Sequence, residues 1–314
     1  MRLPVSTLSG AACGQTHGKT VRAPRAPRGR IAMHTHLIDA RTLAETRQPD
    51  WVILDCRFRL DDPEYGLQAY EAGRIPGAHY LNLDYHLSGT CNGQNGRHPL
   101  PDAQRLAVDL GAMGIGTDTQ VVAYDDSGGM FAARAWWLLR WLGHAPVAVL
   151  DGGYGAWLEA GYPVSTERAP RRSTRFSIRA PLVDTVRAED ILDALGSTRL
   201  TVVDARSPDR FRGENETLDP VGGHIPGARN RFFRDNLDAR GRFKAPEVLR
   251  QEWLALLGER SDANGVVHQC GSGVTACVNQ LALELAGLQG SVLYPGSWSE
   301  WCADPARPVA TGDA

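Results

Sequence analysis

Short runs of β-branched residues alternate along the chain with longer stretches whose apolar positions recur at helical spacing. In the first half the runs lie near residues 52–55, 121–125 and 147–150, and the helical stretches cover 39–47, 103–111, 130–142 and 153–160. In the second half Val266-Val267 reads as a buried strand, and Val274, Val278, Leu281, Ala282 and Leu285 mark a helix that Gly287 stops. Alternation of this kind predicts an α/β fold, each sheet mainly parallel and flanked by helices on both faces. Ligand sites in such sheets gather at the carboxyl ends of the strands. Asp55, Asp126, Asp204 and Cys270 all stand at such ends, so one rim is expected to collect the chemistry.

The pattern is written twice. Val52-Ile-Leu-Asp55-Cys-Arg57 returns as Val202-Val-Asp204-Ala-Arg206, and Arg74-Ile-Pro-Gly-Ala78 returns as His224-Ile-Pro-Gly-Ala228. Val121-Val-Ala-Tyr-Asp125-Asp126-Ser-Gly-Gly-Met130 matches Gly265-Val-Val-His-Gln269-Cys270-Gly-Ser-Gly-Val274, with Asp126 set opposite Cys270 at an offset of 144. Leu150-Asp-Gly-Gly-Tyr-Gly-Ala-Trp157 matches Leu293-Tyr-Pro-Gly-Ser-Trp-Ser-Glu-Trp301. A repeat of this length is best explained as two tandem domains. The expected boundaries are a first domain at 34–163, a polar linker at 164–185 punctuated by Pro170 and Pro181, and a second domain at 186–310.

Residues 1–33 stand apart. Arg2, Lys19, Arg22, Arg25, Arg28 and Arg30 occur there without a single acid. This extension reads as a disordered tail or an over-extended gene start with Met33 as initiator; organellar targeting is the alternative. The formal charge of the whole chain is -2, which gives no polyelectrolyte signature and no expectation of nucleic-acid binding. No apolar run is long enough to span a bilayer, so no membrane partner is expected. Six cysteines, at 13, 56, 91, 270, 277 and 302, are too unevenly spread for a disulfide framework and include no Cys-x-x-Cys pair. Their usage fits a reducing compartment, hence a cytoplasmic location, and supports no metal site.

Chemistry concentrates in Cys270-Gly-Ser-Gly-Val-Thr275, a loop between a strand and a helix. Glycines at 271 and 273 let the backbone turn several N–H groups inward, and such a nest at a helix N-terminus attracts anions. Because the loop opens on a cysteine, the anion it is expected to hold is that cysteine's own sulfur, a nucleophile in a cradle. Cys56 and Cys277 read instead as small buried hydrophobes.

Taken together, Asp204-Ala-Arg206, Gly223-His-Ile-Pro-Gly-Ala228, Pro295-Gly-Ser-Trp-Ser-Glu-Trp301 and the Cys270 loop resemble the tandem-domain rhodaneses. This is the thiosulfate and 3-mercaptopyruvate sulfurtransferase family, and the resemblance covers about residues 34–305. It implies that Cys270 takes a sulfane sulfur from a small anionic donor, thiosulfate or 3-mercaptopyruvate, as a persulfide. Cys270 then passes the sulfur to cyanide, a thiol or a thioredoxin-like acceptor, without a cofactor. Gly271, Ser272, Gly273, Val274 and Thr275 would form the persulfide cradle. Arg210 matches the arginine that binds the donor, while Arg206 is expected to pair structurally with Asp204. The first domain, with Asp126 facing Cys270 in the repeat, is expected to be silent.

Two departures bear on the donor. The glycine–serine–glycine loop resembles the mercaptopyruvate branch, yet 214–222 lacks the second arginine that this branch carries before its His-Ile-Pro-Gly motif. The branch also has a histidine working with the loop serine, placed by the resemblance in the first-domain motif. Arg74 occupies that position and becomes a candidate anion contact across the cleft. A phosphatase loop would need an arginine at 276, which is Ala. The remaining rival is a persulfide carrier that relays sulfur, or senses redox state, without turnover.

Overall fold

The computed structural model describes residues 33–313 apart from 171, 259 and 260, together with Met1 and Pro4. The expectations for residues 1–33, Met33 excepted, lie outside the described residues. The first half runs β1 (Leu37–Ile38), α1 (Ala40–Thr46), β2 (Val52–Asp55), α2 (Tyr65–Ala72), β3 (Ala78–Tyr80), α3 (Ala103–Ala112), β4 (Val121–Tyr124), α4 (Met130–Trp141), β5 (Val147–Leu150), α5 (Gly153–Glu159). Its five strands are parallel in the order β1-β5-β4-β2-β3. The second half runs α6 (Ala188–Leu192), β6 (Thr201–Asp204), α7 (Pro208–Arg212), β7 (Arg229–Asn230), α8 (Pro246–Leu257), β8 (Val266–Gln269), α9 (Ala276–Leu285), β9 (Val292–Leu293), α10 (Ser297–Trp301). Its four strands are parallel in the order β7-β6-β8-β9.

The strands and helices with the strongest patterns form where the pattern puts them. Every residue of β2, β4, β5 and β8 is buried, as expected for strands covered on both faces. Asp39 and Asp102 cap α1 and α3, accepting from the backbone N–H of Thr42 and Arg105 at 2.9 and 2.8 Å. The two halves share one core. Trp136, Trp137 and Phe131 of α4 pack with Val274, Cys277, Val278 and Leu281 at the start of α9. Polar contacts pin the seam: Trp137 Nε1 donates to Gln280 Oε1 at 2.9 Å, and buried Glu284 takes Arg140 at 3.1 Å and His36 at 2.9 Å.

The linker is not a free spacer. Ser165 pairs with Arg74, the N–H of Thr174 donates to Gly111 O, and those of Arg179 and Leu182 to Leu142 O and Arg140 O. Phe176 and Val183 are buried beneath it. Its prolines did not reveal how closely it docks; four of its backbone N–H groups bond to the first half, and Phe176 and Val183 anchor it.

Burial also sets an acid sensitivity. Among the buried histidines, His98 and His268 are pushed down to about 3 and His144 to about 4, in each case chiefly by removal from water. All three stay neutral in the fold while the unfolded chain takes up protons below about pH 6.5. Stability therefore falls as pH drops through that value, by about 1.4 kcal/mol per pH unit per histidine, and these groups leave it unchanged above. Buried Asp125 and half-buried Asp151 and Asp219, whose carboxyls removal from water pushes up, oppose the trend only once the carboxylate range is reached. Melting at about pH 5.5 is expected several degrees below melting at about pH 7.5. Equal melting temperatures would contradict this.

Candidate functional site

Cys270 follows the last residue of β8, and the loop to Thr275 delivers the chain into α9. The thiol is buried, at 2 % exposure, yet it lines a cavity of about 220 Å³. Both halves build that cavity: Leu60, Arg97, His98, Met130 and Phe131 come from the first, and Arg206, Arg210, Phe232 and the loop 270–275 from the second.

The backbone of Cys270 is held on both sides by the turn preceding α10. Its N–H donates to Ser297 Oγ at 3.1 Å, and its carbonyl accepts from Trp298 N at 3.0 Å. Ser297 adopts φ +55°, the one non-glycine residue in the left-handed region among the described residues. The repeat partner is Gly153 at φ +57°. A serine at such a position stores roughly 1–3 kcal/mol of strain, and here its hydroxyl is what meets Cys270.

Of the loop expected to form the cradle, Gly271, Ser272, Val274 and Thr275 line the cavity with Cys270, while Gly273 does not. Among the described residues, no protein group accepts from the N–H groups of Gly271, Ser272, Gly273, Val274 or Thr275, and none of these groups donates to Cys270 Sγ. The amides are thus available to a second atom beyond the sulfur. Gly273 at φ +76° permits the curl, and a Cβ there would stand 2.3 Å from Pro295 O.

The first half shows what such a loop does with an anion. Strand pairing sets Tyr124 opposite Asp55 and Gln269 opposite Asp204, so the residue matching Cys270 is Asp125, not Asp126. The next contact agrees, because Tyr154 N donates to Asp125 O as Trp298 N does to Cys270 O. With two adjacent aspartates the sequence alignment chose Asp126, and the hydrogen-bond ladder corrects it by one residue. The Asp125 carboxylate accepts from Ser127 N, Gly129 N, Phe131 N and Ala132 N at 2.8–2.9 Å. One copy of the loop wraps a built-in carboxylate; the other opens onto a cavity.

Ser272 directs its hydroxyl at His98 Nδ1, 2.7 Å away, and His98 Nε2 lies 3.7 Å from Asp84. Being neutral, His98 carries one proton; the carboxylate favours it on Nε2, which leaves Nδ1 to accept from Ser272. The loop serine therefore has a histidine after all, contributed by 96–101 rather than by the motif at residue 74. Thr275 stands at the start of α9 without capping it through its side chain.

Arg210 lines the cavity as expected. Its Nε and Nη2 grip Glu216 at 2.7–3.0 Å, while Nη1 has no acceptor among the described residues. Arg206 is bound to Asp204 at 2.7 Å and to Gly223 O at 2.6 Å, the structural role foreseen for it. Arg74 is a correction. It is 2 % exposed, does not line the cavity, and donates to Tyr70 O, Thr166 O and Glu167 O while stacking on Tyr70. Its place in a repeated motif suggested a cleft; it fastens the linker instead.

Three residues near the loop escaped the sequence. Arg97 and His98 lie between β3 and α3, where the second half has Arg242 and Phe243 between β7 and α8, and they meet Cys270 only through tertiary structure. Arg134 is fully buried in α4, donating to Leu87 O, His98 O and Gly273 O, with no carboxylate among these partners. Its signal was legible, being the one charge in the apolar run Phe131–Leu139.

Comparison with known proteins places this geometry. The Rhodanese-like domain matches residues 34–160 and again 187–304. The chain is 49% identical over 280 residues to a probable 3-mercaptopyruvate sulfurtransferase of Pseudomonas aeruginosa, covering 88% of this chain and 98% of that one. It is 41% identical to a putative thiosulfate sulfurtransferase of Mycobacterium tuberculosis, covering 83% and 91%. Among solved structures, 3-mercaptopyruvate sulfurtransferase from Leishmania major superposes with a TM-score of 0.77 at 30% identity, covering 87% of this chain and 75% of that one.

Proposed function

Because the chain belongs to the rhodanese family of sulfurtransferases, with two copies of its domain in one polypeptide, we propose that Cys270 is the residue that carries the transferred sulfur and that its preferred donor is 3-mercaptopyruvate. The observation that supports this reading is the loop itself: the amides of residues 271–275 have no acceptor among the described residues, and they follow a cysteine that lines a cavity at the start of a helix. An anion one bond beyond Cys270 Sγ, the outer sulfur of a persulfide, is what such donors would stabilise. The carboxylate of Asp125 in the equivalent loop is the internal precedent.

The donor preference rests on the side chains. Thiosulfate leaves as sulfite, a dianion best met by fixed cations in the loop, and the loop 270–275 contains none. Mercaptopyruvate leaves as pyruvate enolate, which needs a proton at carbon. Cys270 as thiolate attacks the donor sulfur, the C–S bond breaks, and its electron pair goes to the enolate. The proton of the donor thiol moves by way of Ser272 and neutral His98 to the enolate carbon, giving pyruvate and the Cys270 persulfide anion. A thiophilic acceptor then removes the outer sulfur and restores the thiolate.

The test compares kcat/KM for the two donors with cyanide as acceptor. Mercaptopyruvate should lead by at least about tenfold, the value of a single interaction worth ~1.4 kcal/mol. Parity, or a lead for thiosulfate, would sink the donor assignment, and failure to turn over repeatedly would favour a carrier.

A further inference from the structure

We infer that Arg97, supplied by the first half, is the second anion-binding residue of the Cys270 cavity, acting with Arg210 on the charged group of the sulfur donor. Two guanidinium groups flank Gly271. A Cβ at that glycine would stand 3.0 Å from Arg97 Nη2 and 3.6 Å from Arg210 Nη1 and Nη2. Both arginines line the cavity that contains Cys270.

Their hydrogen bonding is incomplete on the cavity side. Arg97 Nη1 is bound to Asp219 at 2.7 Å, but its Nε is buried without an acceptor. Among the described residues, no protein group accepts from Arg97 Nη2 or Arg210 Nη1 either. A buried guanidinium N–H without an acceptor is costly, which applies to Arg97 Nε; with Arg97 Nη2 and Arg210 Nη1 lacking a protein acceptor beside Gly271 in the cavity wall, these donors point to an anion that arrives there. The other cations nearby are committed. Arg206 is held by Asp204, Glu216 and Gly223 O, and Arg134 by three carbonyls.

Arg97 is also held in place. Asp219 takes one nitrogen from it and, at 3.4 Å, one from Arg210, tying the two forks to one carboxylate. The backbone N–H of Arg97 donates to Ser299 Oγ at 2.9 Å, and Gly96 packs so closely that a Cβ there would come within 2.6 Å of Gly296 O. A positioned cation loses little freedom on binding. Locally the charges balance, with Arg97, Arg206 and Arg210 facing Asp204, Glu216 and Asp219. Recognition therefore comes from directed N–H groups, one from each arginine, which suits a planar carboxylate.

The inference depends on the sulfur-transfer reading for its biological meaning, so its test includes a readout that does not. Cys270 alkylation, followed by peptide mass, is timed with iodoacetate, which is anionic, and with neutral iodoacetamide. In Arg97→Gln the iodoacetate rate should fall about tenfold relative to the iodoacetamide rate, the effect of one charge-assisted hydrogen bond. Arg97→Lys should recover part of the preference. In steady state the donor KM should rise by a similar factor while the acceptor KM stays level. An unchanged ratio in Arg97→Gln, or an equal fall with both reagents, would overturn the inference. Should the ratio fall while the wild-type protein forms no persulfide, the anion contact stands and the sulfur reading is what fails.

Discussion

Cys270→Ser is expected to lower sulfur transfer to background, a loss of at least about 10⁴-fold, with melting temperature and fold retained. A hydroxyl of similar size keeps the backbone bonds to Ser297 and Trp298 but cannot form a persulfide. The thiol packs in the shared core as well as lining the cavity, so the substitution changes one atom in a fixed frame. Steady turnover by this variant would overturn the account. An equal loss from Cys277→Ser would not replace it, since the Cys277 thiol is fully buried, is pushed up to about 12 chiefly by burial, and donates to Gly273 O at 3.4 Å.

The second large effect belongs to Arg134. Its guanidinium ties Leu87 and His98 of the first half to Gly273 in the cradle, through bonds of 3.1–3.3 Å. Burial lowers its pKa, and the neighbouring sulfurs of Cys277 and Cys270 act in the opposite sense. Arg134→Met fills much of the same volume but leaves three buried carbonyls without their donor, each worth about 1–3 kcal/mol. Removing a buried charge offsets part of that cost. The net expectation is a loss of about 2–4 kcal/mol, seen as a fall of several degrees in melting temperature. Because Gly273 and His98 lose their common anchor, kcat should also drop about a hundredfold. Arg134→Lys, with a single ammonium, should fall between the two. Unchanged melting and turnover in Arg134→Met would show that the tie is dispensable.

These two residues differ in how visible they are before folding. The Cys270 loop is contiguous, so its glycines, its cysteine and the helix behind it can be read from one run of letters, 265 to 287. β4, β5 and α4 are equally plain, because strands and helices buried on all sides are continuous apolar runs. By contrast β1, β7 and β9 are two residues each and exist only because a neighbouring strand offers a ladder. His98 meets Ser272 across 174 positions, and Arg97 meets Ser299 across 202. No local pattern encodes such meetings. Arg74 misled for the opposite reason: it sits in a recognisable motif, but its burial under the linker depends on where residues 165–167 run.

The register of the repeat carries the same lesson for mechanism. Shifting Asp125 into the place of Cys270 turns the first half from a loop with a displaced acid into a closed version of the same site. Its four amide bonds to a carboxylate indicate what the open copy is shaped to accept. The first half also contributes to the Cys270 site by other means. It supplies Arg97 and His98 to the cavity, ties Gly273 through Arg134, and packs α4 against α9 behind it.

The most direct check is the intact mass of the protein after brief exposure to mercaptopyruvate without acceptor, followed by peptide mapping. The account predicts a gain of one sulfur atom per chain, located on Cys270, erased by cyanide and blocked by prior alkylation of that thiol. A mass that never changes, or a sulfur found on Cys56, Cys91, Cys277 or Cys302 instead, would contradict it.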